Sequence, residues 1–180
     1  MVSRENVRPF TVFISSSQNE FNEFRKNLKT RIDNEPFVDE KIMKGILIED
    51  ERGPVIAEDI RREIDGCSLY VGIFGREKSE WTFAEYREAR ARDLPILIYQ
   101  LKRRRKPGRP RKVERRGRKS EVQNFLDKEV KALGIRVRGL YVNEDALEEA
   151  VMLDLAWEIA ELVRETASVR KTIHRGLSPI

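Results

Sequence analysis

The sequence predicts an α/β domain in which five strands, interleaved with helices, form an open, mostly parallel sheet covered on both faces. Two observations carry this. Short apolar runs rich in β-branched and aromatic residues recur, each followed by a stretch with apolar residues at helical spacing. Two of these runs, "SLYVGIFG" and "LPILIYQL", are apolar nearly throughout, as strands buried on both faces are.

In chain order, "FTVFISSS" predicts a buried strand over residues 10–15 that ends in serines. Ser17 and Glu20 have the spacing of a capping box, and Phe21, Phe24, Leu28 and Ile32 continue at helical intervals. "GILIED" is a second strand, "ERGPV" a loop punctuated by Gly53 and Pro54, and "IAEDIRREIDGC" a helix. "SLYVGIFG" is the third strand, "SEWTFAEYREARARD" a helix, and "LPILIYQL" the fourth strand, with Pro95 at its entry. "SEVQNFLDKEVKALG" is a helix closed by Gly134, "IRVRGLYVN" an edge-like strand and 144–170 a long final helix. These assign one domain to 1–170, a basic insertion to 102–120 and a tail to 171–180.

The 180 residues suffice for one domain with a core, at 39% hydrophobic and 37% charged. The net charge of +5 is unevenly spread. "KRRRKPGRPRKVERRGRK", 102–119, holds twelve Lys or Arg and one acid, a charge of +11 that leaves −6 on the rest. Its prolines and glycines oppose a helix, so it reads as a loop excursion from a complete domain. One cysteine, Cys67, and one histidine, His174, exclude a disulfide framework and a Cys/His zinc site, and no metal site is expected. No run has the length or apolarity of a bilayer span or signal peptide, so the expected location is cytoplasmic, without a membrane partner.

Open parallel sheets bind ligands beyond the carboxyl ends of the strands, where strand order reverses. With a flavodoxin-like order, three segments meet there: Ser15, Ser16 and Ser17; the loop from Asp50 to Val55; and "GREKSEW", with Arg76 and Lys78. Serine hydroxyls and helix-start N–H groups suit a phosphate, and equally they serve as caps. No Walker or Gly-x-Gly-x-x-Gly pattern is present. In "SEWTFAE", Trp81 and Glu85 are four apart on one helix face, a carboxylate beside an aromatic wall. By residue type alone, that glutamate is a solvated one and that tryptophan a core one.

The run from Phe10 to Gln100, "VFISSS … SLYVGIFG … SEWTFAEYREARARDLPILIYQ", resembles a TIR-type domain, most nearly the TIR-like domains of unknown function in prokaryotic proteins, often fused to signalling or defence ATPases. In NAD-cleaving TIR domains a Ser-x-Trp-x-x-x-Glu pattern carries the catalytic glutamate, and it maps onto Ser79, Trp81 and Glu85. The family's flexible loop maps onto Glu51 to Ala57 and its first-strand box onto Phe13 to Ser17, which here has three serines and no acid. The resemblance implies NAD as a substrate rather than a cofactor. Glu85 would stabilise an oxocarbenium-like ribose with Trp81 against the base, and Tyr86 and Ser15 stand behind them.

The alternative is a non-catalytic module that meets proteins or nucleic acid. "KPGRPRK" resembles an AT-hook, although Pro107 replaces its first arginine and Arg116-Gly117-Arg118 lacks the proline. Arg105, Lys106, Arg109, Arg111, Arg116 and Arg118 are the candidate nucleic-acid contacts; a solvated loop or one docked on an acidic face accounts for the same charges. The last helix carries a wide apolar arc from Leu147 to Leu162, which fits either a homo-oligomer face or a fully buried helix.

Overall fold

The computed structural model describes residues 9–35, 43–48, 56–102 and 120–176. The strands are β1 (Phe10–Ser16), β2 (Met43–Ile46), β3 (Leu69–Phe74), β4 (Ile96–Leu101) and β5 (Val137–Tyr141). They form one all-parallel sheet in the order β2-β1-β3-β4-β5. The helices are α1 (Gln18–Asn34), α2 (Ile56–Asp65), α3 (Glu80–Ala91), α4 (Glu121–Phe125) and α5 (Glu144–Gly176). The expected α/β architecture is therefore present, with every strand pair parallel. The chain divides into two compact units, residues 1–144 and 145–180, the second consisting of α5 and the residues after it.

The period of two along the strands sorts the first unit's core into two faces. Phe13, Tyr70, Phe74 and Ile98 meet Ile60 and Ile64 of α2, Phe83, Tyr86 and Ala89 of α3, and Val122 and Phe125 of α4. An aromatic cluster sits at its centre: Phe83 and Phe125 stack at 3.9 Å between centroids, with Phe74 and Tyr86 against them. Ile14 points to the opposite face, where Lys29 of α1 lies over β2 at Gly45. Helices thus cover both faces of the sheet.

Several boundaries differ from the sequence expectation. The second strand starts earlier, at Met43, and stops at Ile46, while Glu49 and Asp50 lie outside the described residues. The helix expected over 120–133 is broken into α4, a π turn over Leu126–Val130 and a 3₁₀ turn over Lys131–Leu133, closed by left-handed Gly134. Tertiary contacts hold the π turn: the Tyr86 hydroxyl donates to the Glu129 carbonyl at 2.8 Å, and Arg87 forks onto the Glu129 carboxylate. The exposed Arg87 holds the Glu129 carboxyl below its ordinary value, chiefly through that hydrogen bond. The final helix runs to Gly176 rather than ending at Arg170.

β5 is the edge strand that "IRVRGLYVN" suggests, and it is bulged. Tyr99 pairs with Arg138 but Gln100 with Leu140, so Gly139 is the extra residue, at φ 58°. A Cβ there would lie 2.9 Å from the Tyr141 ring. Gly139→Ala is expected to cost about 1–2 kcal/mol, from the left-handed penalty plus the displaced ring, measurable as a shift in the urea midpoint without a change in slope.

Cys67, half-buried after α2, donates its thiol to the Glu63 carbonyl at 3.1 Å. Burial, and then the Glu63 charge, push the thiol up to about 12. The folded chain should therefore react with a thiol reagent at pH 8 at least about 100-fold more slowly than the urea-unfolded chain, because only the thiolate attacks. The sign for stability follows. The unfolded thiol ionises near pH 9 and the folded one near 12, so this group's contribution is intact below pH 9 and is lost as pH rises towards 12. Equal labelling rates in the two states would contradict the burial.

Candidate functional site

The connection from β1 through α1 leads to β2 on one side, and β3 lies on the other, so strand order reverses between β1 and β3. Open parallel sheets hold ligands beyond the carboxyl ends of the strands on either side of such a reversal. Ser15 and Ser16 pair there with Gly72 and Ile73.

Because successive strand residues face opposite ways, the serines part company. Ser15 lies on the α3 face, beside Gly72 and in line with Phe13. Its hydroxyl donates to the Glu85 carboxylate at 2.5 Å, a buried contact across 70 residues of chain. Glu85 is only 7% exposed. Gly72 keeps this region close-packed: a Cβ on it would lie within 3.0 Å of Ile98, Tyr70 and Phe74.

Tyr70 completes the cluster. Its ring stacks on Phe13, and its hydroxyl donates to the Thr82 carbonyl at 3.4 Å. Burial, and then the Glu85 charge, hold the phenol well above its ordinary value, with a Ser15 hydrogen bond opposing them. Tyr70 is therefore a neutral donor beside a carboxylate at neutral pH.

Ser16 lies on the other face and is buried, with a hydroxyl that has no hydrogen-bond partner among the described residues. Its carbonyl accepts from Arg25 Nη1 at 3.5 Å, and Arg25 Nη2 donates to the Ile48 carbonyl at 2.7 Å. The buried Arg25 guanidinium thus ties the carboxyl end of β1 to the segment after β2. Sequence reading passed over Arg25, although its register with Phe21, Leu28 and Ile32 puts it on the buried stripe of α1.

Ser17 occupies the N-cap of α1 without a side-chain cap bond, so the capping box expected with Glu20 does not form. Instead, Glu20 accepts from the backbone N–H groups of Arg76 and Glu77 at 2.9–3.0 Å, clasping the loop after β3. A Cβ on Gly75 would collide with this carboxylate. The Arg76 amide is thereby committed to Glu20, and its side chain is exposed.

Ser79 is the N-cap of α3, its Oγ accepting from Thr82 N at 3.2 Å and from the Thr82 hydroxyl at 2.9 Å. This cap fixes the start of the helix that aims Glu85 at Ser15. Trp81, one turn before Glu85, is 45% exposed, at the solvent end of that helix face. Lys78 pairs with Glu80 and Glu121, and Tyr86 is committed to the π turn.

The structure therefore brings Ser15 and Glu85 together, seats Ser79 and Trp81 on the same helix start, and turns Ser16 away. Tyr70, Arg25, Glu20 and Gly72 belong to the same region, although the sequence reading did not single them out. The loop from Asp50 to Val55 and the basic residues Arg105, Lys106, Arg109, Arg111, Arg116 and Arg118 lie outside the described residues. Among the described residues no helix is long and apolar enough to cross a membrane.

A family model described as a domain of unknown function (DUF4062) matches residues 11–156, a span that includes every member of this cluster. No curated protein matches the chain.

Proposed function

The chain belongs to this family of domains of unknown function, and we propose that it handles a nucleotide beyond the carboxyl ends of β1 and β3, with Glu85 as the reactive carboxylate, cleaving the nicotinamide–ribose bond of NAD. The observation that carries this reading is the buried Ser15–Glu85 hydrogen bond at the point where strand order reverses. Family membership assigns no activity. The bridge to chemistry is the likeness of Ser79-x-Trp81-x-x-x-Glu85 to the pattern of NAD-cleaving TIR-type domains.

One carboxylate is enough for this reaction. The C1′–N bond breaks with its electron pair going to the pyridinium nitrogen, so nicotinamide leaves neutral and needs no general acid. Charge develops on the ribose, and Glu85, held by Ser15, stabilises it where water is scarce. Water then adds to C1′ and releases a proton, giving ADP-ribose. Trp81 offers a flat exposed surface for a base.

The test is nicotinamide release from NAD by the wild-type chain and by Glu85→Gln. Release by the wild type that the variant lacks supports the proposal. No release from the wild type, with or without a crowding agent, removes the enzymatic reading and leaves a non-catalytic module.

A further inference from the structure

An open cavity of about 450 Å³ lies at the amino ends of β4 and β5, the end of the sheet opposite Ser15 and Glu85. Two turns build it. On one side α3 ends at Ala91, and Asp93 takes a left-handed conformation at φ 52°. The Asp93 N–H donates to the Arg90 carbonyl and the Leu94 N–H to the Ala89 carbonyl. On the other side left-handed Gly134 closes the 3₁₀ turn, and the Ile135 N–H donates to the Val130 carbonyl as the chain enters β5. These bonds pin the backbone on both sides of the cavity.

The lining is of two kinds. Arg90, Arg136 and Arg138 face a single acid, Asp93, a net charge of +2, while Leu94, Ile96 and Ile135 supply an apolar wall that packs on the core behind it. Arg90 and Arg136 make no side-chain hydrogen bond or ion pair among the described residues. Glu129, near enough for its carboxyl to respond to the Arg90 charge, is already forked by Arg87.

Three guanidinium groups around one cavity repel one another, and one carboxylate offsets only part of that cost. A bound anion relieves it, and guanidinium forks match the oxygens of a phosphate. A phosphate monoester carries about −1.5 to −2 at pH 7, close to the charge of the lining, whereas a carboxylate carries a single charge. The apolar wall calls for a body attached to that phosphate, since a bare ion would leave it uncovered.

We propose that this cavity binds an organic phosphate, a phosphate monoester on an apolar or aromatic body, with the phosphate between Arg90 and Arg136 and the body on Leu94, Ile96 and Ile135. Arg138 adds its charge from β5. The site is separate from Glu85 and does not rest on the role given to that carboxylate.

The test is an NMR titration of the isotopically labelled full chain with phenyl phosphate, alongside inorganic phosphate and benzoate. Phenyl phosphate is expected to give saturable shifts at Arg90, Asp93, Leu94 and 135–138. It should bind at least about 10-fold more tightly than either comparison ion, since each lacks one half of the match. Arg90→Gln with Arg136→Gln, both exposed, should weaken it at least about 10-fold, the scale of a lost charge-assisted hydrogen bond. Lys26→Gln with Lys44→Gln removes two exposed charges at the β2 edge of the sheet and should leave binding unchanged. No saturable shift at the lining residues overturns the proposal, as does equal weakening by the two double variants, which marks a general attraction to positive charge. Inorganic phosphate binding as tightly as phenyl phosphate overturns the apolar half of the assignment, and benzoate binding as tightly overturns the phosphate half.

Discussion

Glu85→Gln is expected to lower nicotinamide release about 100–1000-fold while leaving the fold intact, the scale on which removing a preorganised electrostatic group acts. Glutamine keeps the shape and an oxygen that can accept from Ser15, so the 2.5 Å contact loses its charge and not its geometry. It also relieves the cost of a charge in a site that is 7% exposed, so stability should hold or rise. Ser15→Ala separates positioning from chemistry. The carboxylate stays but loses the Ser15 hydroxyl, and release should fall by about 10–100-fold. If Glu85→Gln retains wild-type release, the charge is not the reactive element.

Phe125→Ala is the substitution expected to cost most in stability, about 3–5 kcal/mol. Phe125 is buried and stacks on Phe83 at 3.9 Å with its ring plane 2° away, and Phe74 and Tyr86 close the cluster at 5.5 and 5.2 Å. Truncation leaves a cavity bounded by rings on the sheet and α3, which cannot all collapse into it. Against a typical domain stability of about 5–15 kcal/mol, this brings the first unit near its unfolding threshold at ordinary temperature. Phe83 and Tyr86 flank Glu85 on α3, so the aim of the carboxylate at Ser15 should loosen as well. A loss under about 1 kcal/mol in urea or thermal unfolding would show that the cluster does not bear the packing assigned to it.

The strands and their order of appearance were readable because the period of two and the unbroken apolar runs are local signals. The edge position of β5 was readable too, but its bulge was not. Gly139 in "VRGLY" does not announce itself until the register with β4 is known. The same limit explains the helix ends. Ser17 and Glu20 satisfy the local spacing of a capping box, yet Glu20 gains more from two backbone N–H groups 56 and 57 residues away. The π turn after Phe125 depends on Tyr86 and Arg87, which no window around residues 126–130 contains.

At the site, residue type brought out the three serines and the resemblance to TIR-type domains brought out Glu85, but neither told which serine meets the carboxylate. That depends on strand alternation, which gives Ser15 to α3 and Ser16 to the opposite face. Tyr70 was read only as part of an apolar strand, since nothing local tells a packing tyrosine from one whose hydroxyl lies beside a carboxylate. Arg25 shows the reverse case. Its charge gave no sign of burial, while its helical register with Phe21 and Leu28 already placed it inside.

The central claim is that a nucleotide binds beyond the carboxyl ends of β1 and β3, and titration of the isotopically labelled full chain with ADP-ribose, followed residue by residue by NMR, tests it most directly. The predicted result is saturable shifts concentrated at Ser15–Ser17, Gly72 and Ser79–Glu85, reduced in Glu85→Gln. Shifts that leave these residues unmoved, or no saturable shift at all, would contradict it.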